Sequence, residues 1–203
     1  VDPADIAVMA RLAKTGAIPI RVYNSLDAIG MDWLSENAPH TDETGRIVTR
    51  AVKLYVDGAL GSRGAALSAP YADQPETSGL LLMQKEEALS LFRRALSEGV
   101  QVNTHDIGDR GNRLVLDWYE EALARAQGAS PRWRIEHAQI IDPADIARFE
   151  ALGVIASMQP SHAIGDLFFA PARLGPDRLD GAPARGGPPH SAAPVFGGAG
   201  GAG

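Results

Sequence analysis

Three of the chain's five histidines, His105, His137 and His162, sit at or just beyond the ends of short apolar runs, and Lys53 lies inside another such run, RAVKLYVDGALGSRG. Imidazole is the commonest nitrogen ligand of zinc and similar divalent ions. His105 and His137 are 32 residues apart, close to the ~30 residues per unit of an eight-unit barrel of ~250 residues. Two histidines ending neighbouring strands would stand side by side, so this spacing points to a metal site. The chain has no cysteine, which leaves nitrogen and oxygen donors: His, Asp, Glu or a modified Lys. Lys53 itself has two readings. It either snorkels, with its stem in the core and its ammonium in water, or it serves the site.

The elements that must carry these residues are legible. Asp2, Pro3 and Asp5 form a helix start and Gly16 a stop, and the same hexapeptide, DPADIA, recurs at residues 142–147. Strands are predicted over Ile18–Tyr23, around Lys53, and over Val100–His105, Arg132–His137 and Gly153–Pro160. Helices are predicted over Lys85–Glu98 and from about Asp109 to Gln127. Strands alternating with helices imply βα units and a parallel sheet, with functional residues at the C-terminal strand ends. Those ends carry Tyr23, Lys53, Thr104 and His105, Glu136 and His137, and Gln159 to His162.

Composition narrows the class. With 203 residues, 45% of them hydrophobic, the chain can build one sizeable domain. A net charge of -6 without a basic run argues against nucleic acid and against a polybasic membrane contact. No apolar stretch reaches the ~18 residues of a membrane span, and without a recognisable leader the cytoplasm is the expected compartment. From Gly181 to Gly203, 18 of 23 residues are Gly, Ala or Pro, too poor in core-forming side chains to fold. The expected domain is therefore 1–179, followed by a disordered tail over 180–203.

Four stretches carry a family resemblance: VKLYVDGALGSRGAAL (52–67), THDIGDRGNRLVLDWYEEAL (104–123), RWRIEHAQIIDPADIARFEALGVIASMQPSHA (132–163) and ARLGP (172–176). Together they resemble amidohydrolase family 3 of the amidohydrolase superfamily, the group that includes N-substituted formamide deformylases. The resemblance implies an α/β fold, a partial (β/α)8 TIM-type barrel of which about strands three to seven are present. It implies one or two divalent metals, Zn2+ being the expected ion, with Lys53, His105 and His137 as metal-site residues and Lys53 carboxylated. It also implies hydrolysis of non-peptide amide or N-formyl carbon–nitrogen bonds in a small-molecule substrate. The family's first-strand His-x-His pair and last-strand aspartate have no counterpart, so no catalytic base is assigned. The alternative is a truncated, catalytically inactive fragment. The oligomeric state is not readable.

Four further residues have candidate roles. Arg63 could fork a substrate carboxylate or hold a loop, and His162 could contact substrate. Asp106, where the family usually has alanine, could orient His105 or point into solvent. Asp109 is a candidate helix cap.

Overall fold

In a computed structural model that describes residues 1–124 and 130–181, Asp2 caps helix α1 (Pro3–Lys14) in a reciprocal capping box with Asp5, with Pro3 at the first position. Strand β1 (Val22–Asp27), helix α2 (Met31–Asn37), the two-residue β2 (His40–Thr41) and the long β3 (Ile47–Tyr55) follow. Three βα units come next: α3 (Lys85–Ser97) and β4 (Gln101–Asp106), α4 (Asp109–Leu123) and β5 (Arg134–His137), α5 (Ile146–Leu152) and β6 (Ile155–Ser157). Two short helices, α6 (His162–Gly165) and α7 (Ala170–Leu174), and a 3-10 helix over Pro176–Gly181 close the described chain.

The sheet runs β1-β3-β4-β5-β6 with every neighbour parallel, and β2 adds an antiparallel hairpin to β3. This is the expected βα architecture. The first strand differs from prediction: it covers Val22–Asp27, not Ile18–Tyr23, because pairing with β3 begins at Val22 opposite Ile47, while Ile20 is exposed. Asp27, not Tyr23, therefore ends that strand, opposite Lys53. β6 is also shorter than predicted. Helix α4 ends at Leu123, and residues 125–127 of its predicted extent lie outside the described residues, as does the predicted tail from residue 182 on. Among the described residues no helix is long and apolar enough to cross a membrane.

One face of the sheet is covered by helices. Leu54, Val56, Val102 and Ile135 pack there with Phe92 of α3 and with Leu116 and Tyr119 of α4. Phe92, Tyr119 and Trp133 form an aromatic trio with ring centroids 4.9 to 5.5 Å apart. The Tyr119 hydroxyl ties α4 to the sheet, 2.7 Å from Thr104 Oγ1 and donating to the Arg134 carbonyl at 3.1 Å. The opposite face carries Ser25, Lys53, Tyr55, Asn103, His105, Arg134 and Glu136, placed together by register and by the two-residue period of strands. A face this polar in a parallel sheet is the feature that sets the chemistry.

Candidate functional site

Lys53, His105 and His137 converge at the C-terminal strand ends. Lys53 pairs with Asn103, and Tyr55 with His105, so the Lys53 ammonium lies 5.0 Å from the Tyr55 ring centre and the Tyr55 and His105 rings are 5.7 Å apart. The His105 and His137 rings meet edge to face at 4.5 Å. His162 stacks on His137 at 5.5 Å, with an interplanar angle of 25°.

Register alone would not bring the two imidazoles together. His137 pairs with Asp106, whose side chain lies on the helix-covered side against Gly111 of α4. Strict alternation would therefore point His137 away from His105. The backbone breaks that alternation: His137 has φ 78° and Ala138 φ 42°, both left-handed and both non-glycine. Such geometry costs of order 1–3 kcal/mol per residue and survives only where surrounding structure holds it. Here Ala138 N–H donates to the Asp106 carbonyl and Ile140 N–H to the Ile107 carbonyl.

Both imidazoles are shifted toward the neutral form. Burial, then the neighbouring His137 and Lys53, lowers the His105 pKa to about 4. Burial also lowers that of His137, against a hydrogen bond to Gln159 that raises it. Neutral imidazole is the form that ligates metals. The Lys53 ammonium is lowered by burial, which outweighs Glu136 and Asp27 acting to raise it. A cavity of about 400 Å³ opens beside it, lined by Asp27, Ile29, Tyr55, Leu82 and Met83 among others.

A metal fits two of these groups directly. His105 Nε2 is buried without a hydrogen-bond partner, and His137 is fixed through Nδ1, 2.7 Å from Gln159 Oε1. Among the described residues no group of three His, Cys, Asp or Glu side chains could hold a metal. A metal held at these two histidines would need a further donor from outside the His, Cys, Asp and Glu side chains described.

Asp57, which the sequence reading passed over, organises the site from below. Its carboxylate accepts from the backbone N–H groups of Ala66, Ile107 and Gly108 at 2.8, 3.0 and 2.8 Å, joining the loop after β3 to the loop after β4. It also faces His105 Nε2 at 3.7 Å, too long for a hydrogen bond. Burial pushes its pKa up to about 7 despite three donors that lower it. Gly108 is required for this approach, since a Cβ there would lie 2.0 Å from the Ala66 carbonyl oxygen. A polar residue next to a glycine directly after a strand was the available signal, in VDG.

The remaining candidates resolve differently. Arg63 forks a carboxylate, but the chain's own: Nε and Nη2 each bond Asp73 at 3.1 Å, and Arg173 also pairs with Asp73. Asp106 neither orients His105 nor reaches solvent. It is fully buried under α4, and neither of its oxygens has a partner. The α4 cap is Gly108, and Asp109 instead accepts from Ser68 N–H at 3.0 Å.

Comparison with known proteins agrees with this fold. The model of the amidohydrolase family matches residues 2–192. LONG AFTER FAR-RED 3 of Arabidopsis thaliana is 39% identical over 127 residues, covering 63% of this chain and 22% of that protein. YtcJ of Bacillus subtilis (strain 168) is 35% identical over 129 residues, covering 64% and 24%. Crystal structures of uncharacterized metal-dependent hydrolases from Pyrococcus furiosus and Pyrococcus horikoshii OT3 align with TM-scores of 0.76 and 0.79, at 34% and 31% identity. They cover 87% and 90% of this chain, which spans 36% of each. The chain spans under a quarter of the length of the two curated relatives. With the family model matched over nearly the whole chain, the chain belongs to the amidohydrolase family.

Proposed function

We propose that this chain carries part of the active site of a metal-dependent hydrolase that cleaves carbon–nitrogen bonds, amide or N-formyl, in a small-molecule substrate. The observation that carries the reading is the meeting of His105 and His137 at 4.5 Å beside Lys53 on one polar sheet face. The similarity to solved metal-dependent hydrolases supports it.

A divalent metal, with Zn2+ the ion proposed, supplies when bound an activated water and a polarised carbonyl. His105 and His137 would hold it as neutral nitrogen donors. Lys53, its amine made available by burial, would add to carbon dioxide: a nitrogen–carbon bond forms, an amine proton leaves to solvent, and the product is an anionic carbamate. That change supplies the missing oxygen donor. His162, stacked on His137, fits a substrate contact. Arg63 fits one less well, because a substrate carboxylate would have to displace Asp73. No side chain here is assigned the proton-transfer role.

A second reading, a catalytically silent chain, is favoured by the lack of a three-residue donor group among the described residues. Metal analysis of the purified chain separates the two, with hydrolysis of N-formyl amines assayed before and after chelation. Bound metal and hydrolysis that is lost on chelation and restored by Zn2+ are expected. A metal-free chain inert with added Zn2+ would favour the second reading.

A further inference from the structure

We propose that Gln159 is a positioning residue for His137, holding its neutral ring as the Nδ1–H tautomer so that Nε2 keeps its lone pair for an electrophile at the strand ends. Gln159 lies just past β6. Its Oε1 is 2.7 Å from His137 Nδ1, and its Nε2 donates to the Ser157 carbonyl at 3.3 Å. The second bond fixes the first. Turning the amide over would set its oxygen against the Ser157 carbonyl and its NH2 group against the ring nitrogen, losing an acceptor and opposing two oxygens. With Oε1 toward the ring, an oxygen that can only accept, Nδ1 must carry the proton.

Two further contacts limit ring rotation. His162 stacks on one face, and the His105 ring meets His137 edge to face. The left-handed backbone at His137 sets where the ring starts from. The device therefore works against the default, since a free histidine side chain in water favours the Nε2–H tautomer. Partners of this kind, bonded to the second nitrogen of a histidine, orient the ring and raise its basicity as a ligand.

The tautomer is independent of the proposed hydrolysis, whereas its use toward a metal rests on that reading, and the test separates them. The full chain, free of metal and labelled with 15N at histidine, is observed by two-bond proton–nitrogen correlation at about pH 8, where imidazole is neutral. The His137 signals are identified by their loss in His137→Asn. The wild type is expected to show the Nδ1–H form. Gln159→Leu, close in volume, is expected to move His137 to the Nε2–H form, and Gln159→Glu, which keeps an acceptor, to restore Nδ1–H. A wild-type Nε2–H form, or a Gln159→Leu spectrum unchanged at His137, would overturn the proposal.

A Zn2+ titration of the same three proteins reads the metal arm. Gln159→Leu is expected to weaken Zn2+ binding about 10- to 100-fold, with Gln159→Glu near wild type. If the tautomer shifts as stated and the wild type binds no Zn2+, the positioning role stands and the metal reading fails.

Discussion

Two aspartates at opposite ends of β3 make the same kind of bond to opposite effect. Asp42, in the β2–β3 hairpin, accepts from the backbone N–H groups of Thr44, Arg46 and Ile47 and from the Thr44 hydroxyl. Its pKa falls to about 2. Asp57, just past the C-terminal end, also accepts three backbone N–H groups, yet its pKa rises to about 7. Depth decides the sign: Asp42 sits at a turn with 8% of its surface exposed, Asp57 beneath the site with 1%. In the hairpin the hydrogen bonds outweigh lost hydration, whereas under the site lost hydration wins.

The same contrast holds around them. Among the described residues, five of the eight buried polar side-chain atoms without partners lie in β4 and the start of α4: Asn103 Oδ1, His105 Nε2, both Asp106 oxygens and Asn112 Oδ1; the others are Arg50 Nε in β3 and Trp133 Nε1 and Arg134 Nε at the start of β5. In the hairpin, both Asp42 oxygens are satisfied by neighbours within five residues. The strand-end region tolerates unmet polar groups, the pattern expected where function rather than stability sets the residues.

The largest expected difference lies in truncation. Asp57→Ala strands three buried N–H groups at about 1–3 kcal/mol each, so a loss of roughly 3 kcal/mol or more in urea unfolding is expected. Asp42→Ala, which strands the buried Ile47 N–H but leaves its Thr44 and Arg46 donors within reach of water, is expected to cost about 1–2 kcal/mol, as for a lost cap. Equal losses would remove depth as the explanation.

Next in size is the pocket that holds Asp106. A Cβ at Gly111 would lie 2.4 and 2.5 Å from the two Asp106 oxygens, so Gly111→Ala is expected to destabilise by about 1–3 kcal/mol through overpacking. In an Asp106→Ala background that cost should vanish. A double-mutant cycle reads the coupling, and additive effects would show that the glycine does not make room for the carboxylate.

The smallest effects are in pH dependence, and their signs differ. Asp42 is held below its ordinary 3.8, so the folded state binds fewer protons than the unfolded state between about 2 and 3.8. Its contribution is present above 3.8 and is lost as pH falls through about 2. Asp57 is raised from 3.8 to about 7, so the folded state binds more protons there, and its contribution is lost as pH rises through that window. Measured as wild type minus variant, the stability difference should rise with pH across the lower window for Asp42→Asn. For Asp57→Asn it should fall with pH across the upper window. Slopes of the same sign would contradict the opposite roles of hydrogen bonding and burial.

The histidine-bearing strand ends were legible because they follow from residue type and a two-residue period: Lys53, His105 and the βα units between them stand where apolar runs end. His137 lies beside His105 for a reason the sequence does not display, since its regular register faces the other side and a left-handed backbone turns it back. Edge pairing was the weak point. IPIRVY has strand composition throughout, but only its last two residues find a partner in β3. Asp57 and Gln159 stayed hidden because their roles lie in bonds to distant backbone and to a ring nitrogen, contacts that no local pattern encodes.

The most direct test of the strand-end site is a Co2+ titration of the metal-free chain followed by visible absorption, with His105→Ala and His137→Ala alongside. The wild type should develop the absorption of cobalt bound through nitrogen and oxygen, and each variant should bind at least about 100-fold more weakly, more than the loss of an outer partner costs. A wild type without cobalt absorption, or variants that bind as it does, would contradict a metal site built on His105 and His137.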